Sequence, residues 1–364
     1  MSKFSDLIKN NCPNGVIYKK LIDVADISIG EFVHKNKQND NSEYPVYNGG
    51  ISNTGFYDEY NNDGKNVIIS ARGANAGFVN RVYGKYWAGN SCYSIKVKDA
   101  NEINWIYLYH YLKNQQKNLL GEQQTGSIPA VFKKQVENLK IALPNITVQN
   151  EIVRILDKFG DLEIELEKEL DIRKKQFALI RNKFMTNTYE SIKISEITNS
   201  VSSGKCSNRN ENGDFPVYGS TGIISRTDNY AFDTDKILVA RVGANAGFVH
   251  IATGKYDVTD NTLIIDLKDN IDLKYIYYFL QNFNLNKLAK GGGQPLITGG
   301  QIKDIDLNLP PYEEQKRVSS ILNKFDTYIN SLDVGLPAEI EIRKKQYEYY
   351  REQLLNFKEL NDYE

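Results

Sequence analysis

NVIISARGANAGFVN at residues 66–80 returns as KILVARVGANAGFVH at 236–250. Two further stretches repeat: GKY at 84–86 recurs at 254–256, and IRKKQ at 172–176 recurs at 342–346, both 170 residues on. One short motif can recur by chance. Three in register, spread over half the chain, record an internal duplication. Two similar halves in one polypeptide can form a pseudo-two-fold object, which suits a target that is itself two-fold or bipartite.

Composition leaves room for this. A chain of 364 residues can hold two or three domains, since single cores stop growing near roughly 250–300 residues. Hydrophobic content of 41% and charged content of 25% are ordinary for a folded domain. The opening MSKFSDLIKNNC carries no apolar h-region and no long apolar run follows, which points away from secretion and membrane spanning. Cys12, Cys92 and Cys206 form neither a disulfide framework nor a zinc pattern, so a reducing cytoplasm is expected. The net charge of −1 argues against a strong electrostatic grip on nucleic acid. Its distribution softens that argument: residues 1–147 carry 17 basic and 13 acidic side chains, whereas 311–364 carry 8 and 11.

Each half opens with a Gly-punctuated, β-branched region. NVIIS at 66–70, CYSIKV at 92–97, KILVARV at 236–242 and NTLIIDL at 261–267 read as short strands. A tyrosine-rich helical stretch follows, at 103–119 and again at 271–288, then a Gly/Gln-rich loop, a strand and a closing proline. The expected fold is α+β: two similar mixed α/β domains, at 1–146 and 188–310, with helical segments at 147–187 and 311–364.

In those segments Leu166, Leu170, Arg173, Phe177, Ile180 and Phe184 follow the 4-3-4-3-4 spacing of a coiled-coil seam. Adding 170 gives Leu336, Ile340, Arg343, Tyr347, Tyr350 and Leu354. Pro337 fits the first turn of the second long helix, and Gly160 is expected to interrupt the first. Either each helix covers its own domain, or the two pair as an antiparallel coiled coil; the duplication favours pairing. A helix of about 25 residues would be roughly 38 Å long, close to the ~34–36 Å of one DNA turn.

Signals for chemistry are weak. His34, His110 and His250 have no metal-spaced neighbours, and His250 aligns with Asn80, so the halves share no histidine. No phosphate-binding glycine signature and no paired-carboxylate pattern occurs. LPPY at 309–312 differs from an adenine-methylase NPPY motif by the leucine that replaces its amide. Signals for binding are better. Arg72 and Arg241 precede the two GANAG loops, whose Asn75 and Asn245, with the arginines, are base-reading residue types. The alternative is a plain turn with both asparagines left-handed. Tyr47 and Asn48 after YPV, and Tyr218 and Ser220 after FPV, form a second repeated loop. Lys35, Lys37, Lys205 and Arg209 precede these loops as candidate phosphate contacts. Gln123, Gln124 and Gln294 lie in loops that differ between the halves.

The order of parts resembles the specificity (S) subunit of Type I restriction–modification systems over essentially the whole chain. The likeness rests on LPPYEEQKRVSSILNKFD at 309–326, its weaker echo LPNITVQNEIVRILDKFG at 143–160, and the two RKKQ helices ending in FALIRNKF and YEYYREQLLNF. Thr147-Val148-Gln149 stands where the second copy has PYEEQ. The resemblance implies two target-recognition domains, each reading half of a split DNA sequence, with an antiparallel helical spacer between them. It also implies two adenine-methylating M subunits and DNA-translocating, cleaving R subunits as partners. S-adenosylmethionine, ATP and Mg²⁺ would then belong to those partners and none to this chain. The alternatives are a recognition fragment of a fused restriction–methylation enzyme and a module for a non-DNA ligand.

Overall fold

The structure, a computed structural model, describes residues 2–121, 129–290 and 295–360. In the first half, α1 (Ser2–Asn11) leads to β1 (Ile17–Lys20), α2 (Leu21–Val24) and β2 (Ala25–Ile29). Then come β3 (Tyr44–Tyr47), β4 (Gly55–Tyr57), β5 (Lys65–Ser70), β6 (Val79–Tyr83), β7 (Trp87–Ala88) and β8 (Cys92–Val97). Helices α3 (Trp105–Gly121) and α4 (Lys133–Glu137), strand β9 (Lys140–Leu143) and the long α5 (Ile146–Met185) complete it.

The second half opens with β10 (Ser191–Lys193), α6 (Ile194–Ile197) and β11 (Thr198–Ser203). Strands β12 (Phe215–Gly219), β13 (Gly222–Thr227), β14 (Lys236–Ala240), β15 (Val249–Ala252), β16 (Asp257–Val258) and β17 (Thr262–Leu267) follow. It ends with α7 (Leu273–Phe283), α8 (Gly299–Lys303), β18 (Asp306–Asn308), α9 (Tyr312–Asn330) and α10 (Leu336–Leu355).

The sheets repeat strand for strand. The order β2-β8-β5-β6 is matched by β11-β17-β14-β15, β4-β3-β7 by β13-β12-β16, and β1-β9 by β10-β18. The central strands are apolar on both faces, which is why they read as continuous runs. Val67 and Ile69 of β5 face the core shared with α3, while Ile68 faces Tyr86 and Ala88 of the small sheet. Ile237 and Val239 of β14 do the same against α7, with Leu238 facing Tyr256 and Val258. The period-2 alternation of a strand thus feeds two cores at once.

The chain forms two compact units, Met1–Glu165 with Ile340–Glu364, and Leu166–Glu339. In the first, the C-terminal helix returns onto the N-terminal module. Phe159 of α5 stacks on Tyr347 and Tyr350 of α10 at 6.3 and 5.2 Å between ring centroids. Lys344 pairs with Glu163 at 3.4 Å. These contacts run in opposite sequence directions, so this part of the two helices is antiparallel. The tail closes the unit: Val16 donates to Lys358 O at 2.9 Å and Leu360 donates back to Val16 O at 2.9 Å. In the second unit Phe177 of α5 packs edge-on against Tyr278 of α7, with ring centroids 6.1 Å apart.

Two expectations about the helices change. Gly160 does not interrupt α5, which runs unbroken for 40 residues, about 60 Å rather than the shorter rod expected. A Cβ at Gly160 would meet nothing within 4 Å, and the neighbouring Phe159 is held by its stacking on Tyr347 and Tyr350. The start of α5 also keeps more of the repeat than PYEEQ against ITVQ suggests. Gln149, fully buried, donates to Glu102 O and Pro144 O at 2.9 and 2.8 Å and accepts from Asn104 N at 2.8 Å. Gln315 donates to Pro310 O at 2.9 Å and accepts from Asp272 N at 2.9 Å at the start of α9. One glutamine in each half ties the helix start to the loop that launches α3 or α7.

Candidate nucleic-acid interface

Each GANAG loop joins two strands of the large sheet, β5 to β6 and β14 to β15. In the first, Ala76 donates to Gly73 O at 3.0 Å, Gly77 to Ser70 O at 2.7 Å and Phe78 to Asn75 O at 2.9 Å. In the second, Ala246 donates to Gly243 O at 3.0 Å, Gly247 to Ala240 O at 2.8 Å and Phe248 to Asn245 O at 2.9 Å. Gly73 and Gly243 also donate to Pro129 O and Pro295 O, at 2.9 and 3.0 Å. The left-handed positions are the glycines: φ is +94° at Gly73 and Gly77, +78° at Gly243 and +93° at Gly247. The asparagine reading is thereby corrected. Among the described residues the one non-glycine with positive φ is Asn284, because a Cβ makes that region costly and the loop has glycines where it needs them.

The two arginines are not equivalent. Arg72 bridges to Ala130 and Val242 to Leu296, so Val242 is the register mate of Arg72 and Arg241 that of Ala71. Neighbouring residues of an extended strand face opposite ways. Arg72 is exposed, whereas Arg241 is half-buried with an Nε that has no hydrogen-bond partner.

The loop after β3 meets the first GANAG loop. Asn48 Oδ1 accepts from Ser91 N at 3.1 Å, Gly49 lies against the carbonyl of Arg72, and Ser70 Oγ donates to Gly50 O at 2.9 Å. Tyr47, Asn48, Arg72 and Asn75 therefore gather at one edge of the module. Tyr47 also packs on buried Tyr86 with ring centroids 5.8 Å apart, and burial pushes its phenol up. In the second module β12 ends in a tight turn instead. Tyr218 stacks on His250 at 5.4 Å and stands edge-on to Tyr256 at 5.5 Å. Thr259 N donates to Tyr218 O at 2.9 Å and Arg241 N to Asn261 O at 2.9 Å, which places Tyr218 and Ser220 beside the Arg241 edge. Lys35 and Lys37, in a single 3-10 turn, are exposed, as are Lys205, Arg209 and Asn245. Gln123, Gln124 and Gln294 lie outside the described residues.

Some residues at these edges escaped the sequence reading. His250 lies between Tyr218 and Phe248, neither ring nitrogen has a hydrogen-bond partner, and burial pushes it down to about 4. Its mate Asn80 reaches Ile51 O at 3.4 Å, a carbonyl of the longer loop that the second module lacks. Lys85 and Lys255 of the GKY repeats lie over Tyr60 and Tyr230 at 4.4 and 4.5 Å, so GKY is a repeated cation–π clamp. The recurrence of GKY was the available signal, but it does not say which ring the lysine covers.

The seam positions Leu166, Leu170, Arg173, Phe177, Ile180 and Phe184 are all at least half-buried, as are Leu336, Ile340, Arg343, Tyr347, Tyr350 and Leu354. Glu169 pairs with Arg173 at 2.7 Å. His110 is buried, contacts Asp157 at 3.0 Å and meets the Tyr347 hydroxyl at 3.1 Å. It joins α3 to both long helices of its unit as a packed, satisfied side chain.

Two copies of one α+β module, each followed by helix and each gathering unlike loops at the end of a like sheet, define a duplicated recognition scaffold. The chain belongs to the Type I restriction modification DNA specificity domain family, whose model matches residues 13–173 and 186–342. It is the DNA specificity subunit of a Type I restriction–modification system, a non-catalytic component. A Haemophilus influenzae protein assigned as a type I restriction enzyme specificity subunit is 29% identical over 346 residues, 85% of this chain and 88% of that one. The EcoR124I/EcoR124II specificity subunit of Escherichia coli is 30% identical over 297 residues, 71% of this chain and 72% of its own. The crystal structure of the Type I S subunit from M. genitalium shares the fold, with a TM-score of 0.61 at 18% identity, covering 95% of this chain and 97% of that one. No helix among the described residues is long and apolar enough to cross a membrane.

Proposed function

We propose that the chain reads a split DNA sequence, one half through each module, and docks two adenine-methylating M subunits and the R subunits on its helical segments. Residues 1–146 and 188–310 act as the target-recognition domains, and 147–187 and 311–364 as the spacer, with the seam residues holding it. S-adenosylmethionine, ATP and Mg²⁺ enter with the partners, and the complex works in the cytoplasm.

The observation that carries this is a like frame with unlike loops. The hydrogen bonds around Gly73 and Gly243 coincide, while the loop beginning at Asn48 is long in one module and the turn at Ser220 is tight in the other. Among the candidates, exposed Lys35, Lys37, Arg72, Lys205, Arg209 and Asn245 are free to meet DNA directly. Tyr47, Asn48, Asn75, Tyr218, Ser220 and Arg241 shape or line the two reading edges, and Gln123, Gln124 and Gln294 complete the candidate set by sequence alone. A mobility-shift assay of the chain with its co-expressed methyltransferase tests the reading. A duplex holding both half-sites should shift at lower concentration than one with either half scrambled. Equal shifts on all three would contradict sequence reading.

A further inference from the structure

The GANAGFV run, 73–79 and 243–249, is identical in two modules whose neighbouring loops differ. An identical element contributes the same contact to both half-sites, so it cannot tell one DNA text from another. Its geometry offers something else. The backbone N–H groups of Ala74 and Asn75, and of Ala244 and Asn245, donate to nothing among the described residues, whereas those that follow are committed to the turn. Both pairs come directly after a left-handed glycine whose Cβ side is open for 4 Å. Ala74, Ala244 and Asn245 are exposed. Consecutive free amides at such a turn make a concave anion site. Cations stand nearby: Arg72 is next to Gly73, and exposed Lys290 pairs through its backbone with Leu296, the bridge partner of Val242.

We propose that the two GANAG loops are phosphodiester clamps, each holding one backbone phosphate of the DNA through the amides of residues 74–75 and 244–245. This rests on the reading that these edges meet DNA. It gives the constant loops the positioning role and leaves base reading to the loops that vary. Asn75 and Asn245 then act through their backbone rather than as side-chain readers of adenine.

The test uses the full chain with its methyltransferase partner and fluorescence anisotropy. The probes are four labelled duplexes: the cognate split site, the site with either half scrambled, and an unrelated sequence. Ala74→Asp and Ala244→Asp put a like charge at the clamp and should weaken binding to all four by the same factor, roughly tenfold. Ala74→Lys and Ala244→Lys should tighten all four, and the methylated motif should stay unchanged. Four results would overturn the clamps: no change with either charge, weakening by Asp and Lys alike, loss confined to one half-site, or a changed motif. If the unsubstituted chain binds no duplex, the DNA reading fails instead.

Discussion

His250 shows most plainly what a single residue loses when its environment changes between copies. Asn80 finds a carbonyl in the longer loop of the first module; His250 has none and is held neutral between two aromatic rings. Its folded value of about 4 lies below its ordinary 6.5. The unfolded chain therefore binds a proton in that window that the folded chain refuses, and stability falls as pH drops from about 6.5 to about 4. Stability at pH 7 should exceed that at pH 4 by roughly 2–3 kcal/mol on this residue's account. In urea titrations at both pH values, His250→Phe should remove that share of the difference; a variant with the slope of the unsubstituted chain would contradict the assignment. Gln149 makes the converse case, a buried side chain with every bond made. Gln149→Ala leaves two carbonyls and one amide unpaired and should cost about 2–4 kcal/mol in a urea melt, and a cost under about 0.5 kcal/mol would contradict that role. At this scale the sequence was only partly legible. Arg72 adjoins its GANAG loop whereas Val242 separates Arg241 from the other, and that one residue of register, written in the sequence, sends the two arginines to different faces once the strands pair.

Among the elements, α5 departs furthest from the reading by sequence. A glycine in mid-helix is a fair break signal, because it lowers helix propensity by about 1 kcal/mol. Tertiary packing outweighs it here: Phe159, next to Gly160, stacks on Tyr347 and Tyr350, and such pairs are worth about 0.5–1.5 kcal/mol each. Since a Cβ at position 160 meets open space, Gly160→Ala should raise stability by about 0.5–1 kcal/mol. An unfolding midpoint that falls would show that the helix needs the glycine. The strands β5, β8, β14 and β17 were legible from their β-branched runs, because both faces are buried and the pattern is continuous; the shorter, half-exposed strands around them carry no such run. The helix starts were less so: Gln149 and Gln315 do the same work, but PYEEQ and ITVQ share only that glutamine.

For the whole molecule, duplication explains both the fold and its division of labour. The repeated residues are those whose contacts coincide in the two modules: the strand cores, the GKY clamp, the glycine turns and the helix-start glutamine. The loops after β3 and β12 diverge, one long and one a tight turn, as do the matching strand positions Asn80 and His250. That is why fold class and family could be read from one chain, while the bases recognised could not: loop contacts depend on geometry that no repeat encodes. The long helices follow the same logic, since Tyr347 meets His110 in one unit as its register mate Phe177 meets Tyr278 in the other. The most direct test of two independent reading modules is to map N6-methyladenine across the genome of cells expressing this chain with its methyltransferase. The cells should carry one motif of two short defined halves separated by a gap of fixed length, and exchanging residues 188–310 for those of a relative should rewrite one half and leave the other intact. A single uninterrupted motif, or an exchange that rewrites both halves, would contradict the account.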